Sequence, residues 1–468
     1  MISALDSKVM DANSEALGVG VETLMDNAGK AVADLIEERF PGKKIVIFCG
    51  HGNNGGDGAA AACHLDKGKV TLCLLGKPED IKSHEAAAYY AKAQCQKVSF
   101  DEISGKYDVL VDAVLGTGIK GKLKPEYSDY IDYTRRFKGT IVSVDVPTGM
   151  GADKQVQPDI TVTMHDAKKG MDGKTCGEIV VADIGIPEKA WTHTGPGDML
   201  RYPRPDADSH KGANGRLLVI GGGPFYGAPA MSSMAAMRTG VDLVTVAVPE
   251  ACWHEVAAIS PVLMVHPLKG KVLRHEHVKE LLELADANDA VLIGPGLGRD
   301  PATSEAVREF TSLCQKPLVI DADGLNALGN DFRARNSETV LTPHRMEFMR
   351  LTGADGSAET AAEWAKKMGA VIVLKGKDDI ISDGERLKYN STGTVGMTTG
   401  GTGDVLAGII GGLLAKGMDA YGAGYLGAYI SGKAGELAFA KLSYGMIATD
   451  VIKYIPKAIG NGLDRLRV

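Results

Sequence analysis

The sequence T-T-G-G-T-G-D at residues 398–404 runs directly into the apolar stretch V-L-A-G-I-I-G-G-L-L-A at residues 405–415. Glycines at this spacing let successive backbone N–H groups face one point, and the start of a helix adds the positive end of its dipole. We therefore predict an anion-binding turn at a helix N-terminus. Asp404 beside it would repel a phosphate, so it is either a functional group or an N-cap. The turn is neither a Walker A loop, since no Lys-Ser/Thr pair follows, nor a dinucleotide fingerprint.

Short apolar runs that end in glycine precede this turn throughout the second half of the chain. Examples are L-L-V-I-G at residues 217–221 and V-L-I-G at residues 291–294. Such runs are too short for helices and too apolar for half-exposed strands, so they indicate central strands of a parallel sheet. We predict strands at residues 216–220, 242–248, 290–293, 318–321, 339–341 and 370–374, and two helical stretches after residue 404.

A second β/α alternation fills the first half of the chain. Apolar residues recur every three or four positions from Val21 to Ile36 and predict a helix that Pro41 and Gly42 end. Predicted strands follow at residues 44–49, 70–75, 107–112, 140–145, 159–163 and 178–183. This alternation is typical of a doubly wound α/β fold, a Rossmann-like three-layer sandwich.

The β/α pattern lapses between residues 184 and 212. The stretch contains Pro187, Pro196, Pro203 and Pro205 and shows no sustained periodicity. We interpret it as the connection between two domains. The predicted organisation is an N-terminal domain at residues 1–201, a linker at 202–211 and a C-terminal domain at 212–468.

Composition limits the cellular context and the partners. The 468 residues, 44% of them hydrophobic, are enough for two cores. With 52 Lys and Arg against 59 Asp and Glu, and no long blocks of one sign, neither nucleic acid nor a membrane is expected as a partner. The seven cysteines form no C-x-x-C pair, and no apolar stretch approaches the roughly 18 residues of a membrane span. We expect a cytoplasmic protein and a homo-oligomer, although the sequence gives no subunit number.

Three polar, glycine-rich loops follow predicted strands of the N-terminal half. They read G-H-G-N-N-G-G-D-G at residues 50–58, V-D-A-V-L-G-T-G-I-K-G-K at 111–122 and S-V-D-V-P-T-G-M-G-A-D at 143–153. An open α/β sheet binds its ligand at the carboxyl ends of its strands, where such loops meet. The first loop fits G-x-G-x-x-G, which alone suggests a nicotinamide dehydrogenase. Its Asn and Asp side chains suit a hard cation or a sugar hydroxyl better.

Six motifs of the second half, at residues 221–240, 294–300, 319–328, 341–348, 373–379 and 401–404, resemble the ribokinase-like superfamily. Within it they resemble the NAD(P)H-hydrate dehydratases. The resemblance implies a ribokinase-like α/β sandwich in which Asp404 takes the proton of a substrate hydroxyl. Gly401, Thr402 and Gly403 would then stabilise the transferred phosphoryl group.

The same resemblance implies two sets of binding residues. The adenine nucleotide would be bound by Lys375, Gly376, Lys377, Asp378 and Asp379, with Gly401, Thr402 and Gly403 at its phosphates. The hydrated nicotinamide nucleotide would be bound by Ala228, Gly296, His344 and Asp404. ADP is the favoured phosphoryl donor and ATP stays open, and magnesium is expected to offset the charge of the nucleotide.

Structural interpretations of some of these residues stay open. His344 after Pro343 is alternatively a turn cap, and Lys375 at a strand end is alternatively a solvated charge. Asp321 and Asp323 have the spacing of a metal pair. Aspartates that end a strand and cap the next helix are more common, so we do not assign them as ligands.

The three N-terminal loops together resemble the YjeF-type N-terminal domain, the NAD(P)H-hydrate epimerase. The resemblance implies a potassium site at Asn54, Asp112 and Thr148, where Thr148 stands in place of the more frequent Ser. It implies substrate contacts from Asn53, Asn54, Gly55, Gly56, Asp57, Gly116, Thr117, Gly118, Ile119, Lys120, Gly121, Lys122 and Asp145. Asp145 is the expected proton-transfer group, and capping of a turn is its alternative role.

The two resemblances predict one bifunctional enzyme, an isomerase and a lyase, that repairs hydrated NADH and NADPH. The N-terminal domain would epimerise the R and S hydrates, and the C-terminal domain would dehydrate the S hydrate with ADP. One alternative is a vitamin or sugar kinase that releases a stable phosphoester. Another is an N-terminal region that only binds nucleotide or acts as a scaffold.

Overall fold

The computed structural model describes residues 1–466. The chain divides into two compact units, Met1–Ala190 and Trp191–Val468. Residues 202–211, the predicted linker, are part of the second unit, and the bounds of the two functional domains stay a prediction. Within residues 1–466, no helix has both the length and the apolar character needed to cross a membrane.

The first unit is built on seven parallel strands in the order β3-β2-β1-β4-β5-β6-β7. The strands are β1 (Ile45–Cys49), β2 (Val70–Leu74), β3 (Gln96–Ser99), β4 (Val109–Ala113), β5 (Thr140–Val144), β6 (Ile160–Met164) and β7 (Glu178–Ala182). The helices are α1 (Ala4–Ala16), α2 (Val21–Arg39), α3 (Asn53–His64), α4 (His84–Lys92), α5 (Pro125–Thr134) and α6 (Lys189–Thr192). The strand order reverses between β1 and β4, so the loops after these strands open the crevice where such sheets bind ligands.

Alternate residues of β1 face two different helix layers. Ile45 and Ile47 belong to the core cluster that contains α2 and α3. Val46 and Phe48 belong to the cluster that contains Tyr130 of α5. Buried apolar side chains on both faces of a strand explain the continuous hydrophobic runs in the sequence. The predicted Rossmann-like three-layer sandwich is confirmed.

The second unit is built on nine strands in the order β10-β9-β8-β11-β12-β13-β14-β15-β16. The strands are β8 (Arg216–Ile220), β9 (Leu243–Pro249), β10 (Met264–Leu268), β11 (Ala290–Ile293), β12 (Leu318–Ile320), β13 (Thr339–Leu341), β14 (Val371–Leu374), β15 (Asp379–Ser382) and β16 (Leu387–Asn390). All of them run in the same direction except β15, which pairs antiparallel with both β14 and β16. The helices are α7 (Gly227–Arg238), α8 (Trp253–Ile259), α9 (Val278–Asp286), α10 (Pro301–Leu313), α11 (Asp323–Ala327), α12 (Arg345–Thr352), α13 (Ala358–Met368), α14 (Thr402–Ala415), α15 (Ala420–Leu442) and α16 (Ala448–Arg465).

The structure adds elements that the sequence patterns did not predict. Three helices, α14 to α16, follow residue 404 instead of two, because Gly417 with φ 86° ends α14 and Asp419 caps α15. The strands β3, β10, β15 and β16 and the helix α1 were also not predicted. β3 is polar and partly exposed, so no apolar run announces it.

Close packing between α7 and α14 fixes the position of the turn at residues 398–404. A Cβ on Gly408 would lie 2.1 Å from the carbonyl oxygen of Ser232, and a Cβ on Gly412 would lie 2.3 Å from Oγ1 of Thr239. Only glycine permits two helix backbones to approach so closely. The glycines of the apolar stretch therefore set the place at which α14 begins.

Candidate functional site

The first unit contains a cavity of about 750 Å³ at the carboxyl ends of its strands. Six of the predicted substrate residues line it: Asn53, Asn54, Asp57, Gly116, Thr117 and Asp145. Asp11 and Lys168 line it as well, although the sequence patterns did not single them out. The three polar loops thus meet at one cavity, next to the point where the strand order reverses.

Asp145 and Lys168 form a buried ion pair in the wall of this cavity. Lys168 Nζ lies 2.5 Å from Asp145 Oδ1, and the Lys168 side chain is only 4% exposed. The ammonium also donates to Oγ1 of Thr163 at 3.0 Å and to the carbonyl of Met164 at 2.7 Å. These hydrogen bonds fix the ammonium of Lys168 beside the carboxyl group of Asp145.

The backbone at Asp145 is strained. Its φ is 61°, in the left-handed region that residues other than glycine rarely adopt, and His165 after β6 has φ 66°. Strained residues of this kind cluster at functional sites, where the surrounding structure holds them. Asp145 is therefore held in a defined orientation at the end of β5.

Two further carboxyl groups, Asp11 and Asp57, share the cavity. Neither makes a hydrogen bond or an ion pair with residues 1–466. Burial raises the pKa of Asp11 to about 6, and the charge of Asp145 adds to this shift. Burial also raises the pKa of Asp57 well above its usual range, helped by Asp145 and Asp11. The pKa values of both unpaired carboxyl groups are thus shifted upward, and that of Asp57 is shifted the further of the two.

Asp112 and Thr148, two of the three predicted potassium ligands, are hydrogen-bonded to each other. The carboxylate of Asp112 is fully buried and accepts from the N–H and the hydroxyl of Thr148 at 2.9 and 2.6 Å. It also accepts from the hydroxyls of Ser143 at 2.8 Å and Tyr130 at 3.0 Å. Burial raises the pKa of Asp112, and the hydrogen bonds from Thr148 oppose that shift. All four donors are neutral, so this buried carboxylate has no cationic hydrogen-bond partner within residues 1–466.

Asn54, the third predicted ligand, lies in the first turn of α3, which follows β1. Its side chain is buried, and neither its amide oxygen nor its amide nitrogen has a hydrogen-bond partner within residues 1–466. The position of a Cβ on Gly116 lies 3.5 Å from Cβ of Asn54, so the loops after β1 and β4 touch here. An unpaired buried amide oxygen and an uncompensated carboxylate are groups that a hard cation satisfies.

Gly55 and Gly56 have packing roles and do not line the cavity. A Cβ on Gly55 would lie 2.0 Å from the carbonyl oxygen of Gly50, and a Cβ on Gly56 would lie 2.6 Å from Sδ of Met25. These glycines let α3 start close to β1 and pack against α2. Their predicted substrate contacts stay predictions.

The second half of the loop after β4 also lies outside the cavity wall. It contains the predicted residues Gly118, Ile119, Lys120, Gly121 and Lys122. The carbonyl of Gly121 accepts from the N–H of Asp153 at 3.0 Å, while Lys120 and Lys122 are exposed. The contacts predicted for these residues are not tested by the structure.

In the second unit, the turn at residues 398–404 begins α14. Gly401 is the N-cap, with φ 93°, and Thr402 and Gly403 are the first helical residues. The first N–H groups of a helix have no acceptor within it and remain available to a ligand. Oγ1 of Thr402 donates to the carbonyls of Met397 at 2.8 Å and Thr399 at 3.1 Å, which holds the turn in shape.

Lys375 connects this helix start to a buried carboxylate. Its Nζ lies 3.0 Å from Oδ1 of Asp321, which also accepts from the hydroxyl of Thr342 at 2.7 Å. The position of a Cβ on Gly403 lies 3.3 Å from the same Nζ. The interpretation of Lys375 as a solvated surface charge is therefore wrong, because its side chain is 20% exposed and ion-paired beside the turn.

Asp404 has the properties of a proton acceptor. Burial raises its pKa to about 7, the charge of Asp321 adds to the shift, and Lys375 opposes it. A general base works best when its pKa lies near the working pH. The N-cap interpretation of Asp404 is wrong, because Gly401 is the N-cap and no side chain caps this helix.

His344 caps α12, as the structural interpretation predicted. Its Nδ1 accepts from the N–H groups of Met346 and Glu347 at 3.1 and 3.3 Å, and its own N–H donates to Glu347 Oε2 at 2.8 Å. Nε2 in turn lies 3.5 Å from Oε1 of Glu347, so both ring nitrogens of His344 face groups of α12. A substrate contact from His344 stays a prediction.

Ala228 and Gly296, the other predicted substrate residues of this unit, lie side by side. A Cβ on Gly296 would lie 3.3 Å from Cβ of Ala228 and 2.0 Å from the carbonyl oxygen of Phe225. The φ of Gly296 is 71°, so glycine is needed there for the backbone conformation as well. The structure thus brings two of the predicted motifs together.

The loop between β14 and β15 contains the predicted nucleotide-binding residues. Asp379 accepts from the N–H of Gly376 at 3.0 Å and from Nδ2 of Asn390 at 2.9 Å, and burial raises its pKa. Lys377 and Asp378 are exposed. Asp379 therefore shapes the loop, and the nucleotide contacts of all three residues stay predictions.

The sequence patterns missed Lys168 and Asp11. Lys168 follows a predicted strand by a few residues, as the three recognised loops do. This position after a strand could have marked it as a candidate site residue. Asp11 lies on α1, whose sequence gave no helix prediction. Asp321 was noticed for its spacing, but its ion pair with Lys375 joins residues 54 positions apart.

The second unit is similar to solved structures with the ribokinase-like fold. A ribokinase-like superfamily protein from Enterococcus faecalis is 29% identical, with a TM-score of 0.51, and the match covers 58% of this chain and 95% of the other. The ADP/ATP-dependent NAD(P)H-hydrate dehydratase from Bacillus subtilis, co-crystallised with ATP and Mg²⁺, is 28% identical, with a TM-score of 0.50. That match covers 57% of this chain and 97% of the other. The fold and the site together define a two-domain α/β enzyme with a ribokinase-like C-terminal unit.

Family models and full-length relatives together assign the chain to a protein family. Residues 217–457 match the family described as NAD(P)H-hydrate dehydratase, and residues 21–170 match the family described as YjeF-related protein N-terminus. A bifunctional NAD(P)H-hydrate repair enzyme from Archaeoglobus fulgidus is 42% identical over 98% of both chains. One from Hyperthermus butylicus is 40% identical over 99% of this chain and 93% of its own. The chain belongs to the family of bifunctional NAD(P)H-hydrate repair enzymes.

Proposed function

We propose that the two units catalyse the two steps of nicotinamide-nucleotide repair. The first unit interconverts the R and S hydrates of NADH and NADPH, and the second unit dehydrates the S hydrate at the expense of ADP. The observation that supports this most strongly is the carboxyl group of Asp404, with a pKa of about 7, beside the ammonium of Lys375 at the start of α14.

The dehydration needs a leaving group better than hydroxide. Asp404 takes the proton of the substrate hydroxyl while the hydroxyl oxygen attacks the terminal phosphorus of the nucleotide. Loss of the resulting phosphate, together with a ring proton, restores the double bond of NADH or NADPH. The N–H groups at Gly401, Thr402 and Gly403 and the ammonium of Lys375 stabilise the negative charge of the transferred group.

The phosphoryl donor is an adenine nucleotide, and we propose ADP. The Bacillus subtilis relative is described as ADP/ATP-dependent and was co-crystallised with ATP and Mg²⁺, which supports both nucleotides and the use of magnesium. Magnesium would offset the charge of the phosphates. Comparing initial rates with ADP and with ATP at equal magnesium decides between the two donors.

In the first unit, we propose that Asn54, Asp112 and Thr148 hold a potassium ion. The buried carboxylate of Asp112 without a cationic partner and the unpaired amide oxygen of Asn54 support this site. The ion would supply positive charge next to the cavity and hold the loops after β1 and β4 together. Epimerisation measured in potassium, sodium and lithium salts at constant ionic strength tests the site, and equal rates in all three would contradict it.

The proposed function is tested with purified hydrates. The S hydrate with ADP is expected to regain the absorbance of reduced nicotinamide and to release free phosphate. The R hydrate is expected to do so after conversion to the S form. A stable phosphoester without recovery of NADH would identify a kinase instead. If NADH is recovered from the S hydrate but the R hydrate is converted no faster than without enzyme, the first unit has no catalytic role.

A further inference from the structure

Five carboxyl groups line the cavity of the first unit, those of Asp11, Asp57, Asp80, Glu126 and Asp145, and within residues 1–466 only Asp145 is paired with a cation. Lys168 Nζ contacts Asp145 at 2.5 Å, whereas Asp11 and Asp57 make no hydrogen bond or ion pair with residues 1–466. All of these side chains line the same space of about 750 Å³. The cavity therefore offers an ionised carboxylate and a carboxylic acid at the same time.

Interconversion of the two hydrates needs this combination of groups. The hydroxyl of the hydrate is bonded to the ring carbon next to the ring nitrogen. When the carbon–oxygen bond breaks, the nitrogen lone pair forms a C=N bond and the oxygen leaves as water, provided that an acid protonates it. Water then adds to the opposite face of the ring and gives up a proton to a base. One acid and one base are thus required, on opposite faces of the ring.

We propose that Asp57 is the second catalytic residue of the epimerisation, which protonates the leaving hydroxyl while Asp145 accepts a proton from the entering water. This inference rests on the proposed epimerase function. One proton leaves Asp57 and one reaches Asp145, so the charge of the site and the oxidation state of the substrate are unchanged. A proton returns from Asp145 to Asp57 through solvent or through Asp11 before the next turnover.

The order of the strands places the two groups on different sides of the cavity. Asp57 lies one turn into α3, which follows β1, and Asp145 directly follows β5. Because β4 lies between β1 and β5, these strands are two spacings apart, about 10 Å. Gly116 and Thr117, in the loop after β4, line the cavity between them. The two carboxyl groups thus belong to the segments that follow the two strands on either side of β4.

Two further observations support a ligand between these groups. Asn54, one turn before Asp57 on α3, is 9% exposed, lines the cavity and has no hydrogen-bond partner within residues 1–466. Burial and the charges of Asp145 and Asp11 raise the pKa of Asp57, which keeps its proton available. Asp11 lies on α1, which precedes the first strand, whereas Asp57 lies on the helix that directly follows β1, so we assign Asp11 a role in proton return.

The experiment uses the full-length chain and measures kcat and KM for R to S conversion, with the two epimers separated by NMR or chromatography. The variants are Asp57→Asn, Asp57→Glu and Asp11→Asn. The control is Asp66→Asn, which replaces an exposed aspartate beyond the end of α3. Dehydration of the pure S hydrate with ADP, measured in the same samples, reports whether the second unit is intact. Thermal unfolding of each variant reports whether the first unit folds.

We expect Asp57→Asn to lower kcat about 10²- to 10⁴-fold while KM changes only a few-fold, as for loss of a general acid. Asp57→Glu is expected to recover part of kcat, and Asp66→Asn to match the wild type. A wild-type kcat in Asp57→Asn, or a rise in KM with kcat preserved, would overturn the inference. So would a larger loss in Asp11→Asn than in Asp57→Asn. If the wild type itself does not interconvert the hydrates, the proposed function fails and not only the role of Asp57.

Discussion

Nζ of Lys375 lies 3.0 Å from Oδ1 of Asp321, and the same nitrogen lies 3.3 Å from the position of a Cβ on Gly403. One ammonium group thus contacts a buried carboxylate at the end of β12 and the first turn of α14. Burial would lower the pKa of Lys375, but Asp321 and Glu347 outweigh it, so the pKa is raised and the charge is retained. A fixed positive charge beside a helix N-terminus is suited to a phosphoryl group.

Replacement of Lys375 by methionine is expected to lower the dehydratase rate at least about 10²-fold, because the predicted anion site loses the ammonium group that lies beside its first turn. It also leaves Asp321 buried without its partner, so the second unit should lose about 2–4 kcal/mol of unfolding free energy. Initial rates and urea denaturation measure the two effects. Lys279→Met, on an exposed position of α9, is the control, and a Lys375→Met rate equal to that control would exclude the role.

The carboxyl group of Asp404 makes the second unit less stable as the pH rises. Its pKa of about 7 in the folded state exceeds the usual 3.8, so the folded state binds more protons between these values. Unfolding free energy therefore falls as the pH increases from about 4 to 7 and stays low above. Asp404→Asn removes the ionisable group and with it the free-energy penalty of a buried, ionised carboxylate. It should therefore stabilise the second unit by about 1–3 kcal/mol at pH 8, and by less at pH 5. Urea denaturation at both pH values tests this, with Asp206→Asn as the exposed control, and no gain at pH 8 would contradict it.

The ion pair of Asp145 with Lys168 predicts a different behaviour in the first unit. Lys168→Met removes the cation from a carboxyl group that is only 18% exposed, so it should destabilise the unit by about 1–3 kcal/mol and lower the epimerisation rate at least about 10²-fold. Adding Asp145→Asn should restore much of the stability but none of the activity. Lys169→Met changes the exposed neighbour and serves as the control. Equal stability of Lys168→Met and Lys169→Met in thermal unfolding would show that the pair is unimportant.

Two glycine substitutions are expected to have opposite effects on stability, because one glycine lies at the contact of α14 with α7 and the other has open space around it. Gly408→Ala places a Cβ 2.1 Å from the Ser232 carbonyl oxygen, so it should destabilise the second unit by about 1–3 kcal/mol and lower the dehydratase rate. Gly460→Ala in α16 meets no atom within 4 Å and should stabilise the protein by about 0.5–1 kcal/mol. Calorimetry of both variants measures the difference. A Gly408→Ala protein as stable as the wild type would mean that the helices do not pack as described.

The sequence predicted the strands well wherever both faces of a strand are buried. Continuous apolar runs such as Ile45–Cys49 and Ala290–Ile293 have few other structures available to them. β15 and β16 escaped prediction because they form an antiparallel hairpin of mixed polarity at the edge of the sheet. Their pairing depends on β14 and not on a local pattern.

The candidate sites were predicted less completely, because their decisive contacts join distant parts of the chain. Motifs located Asp145 and Asp404, but the charged groups near them, Lys168 and Asp321, come from distant parts of the chain. Gly55 and Gly56 belong to a recognisable motif, yet the structure uses them for helix packing. A pattern can thus locate a loop without separating the residues that bind from those that only allow the loop to form.

Two single-site variants test the account most directly. Starting from the R hydrate with ADP, Asp145→Asn and Asp404→Asn are each assayed alone and then mixed, with absorbance of reduced nicotinamide as the readout. We predict that each alone forms NADH no faster than the uncatalysed epimerisation allows, and that the mixture restores the reaction because each protein supplies the step that the other lacks. Formation of NADH by Asp404→Asn alone at the wild-type rate would contradict the assignment of this carboxylate as the base.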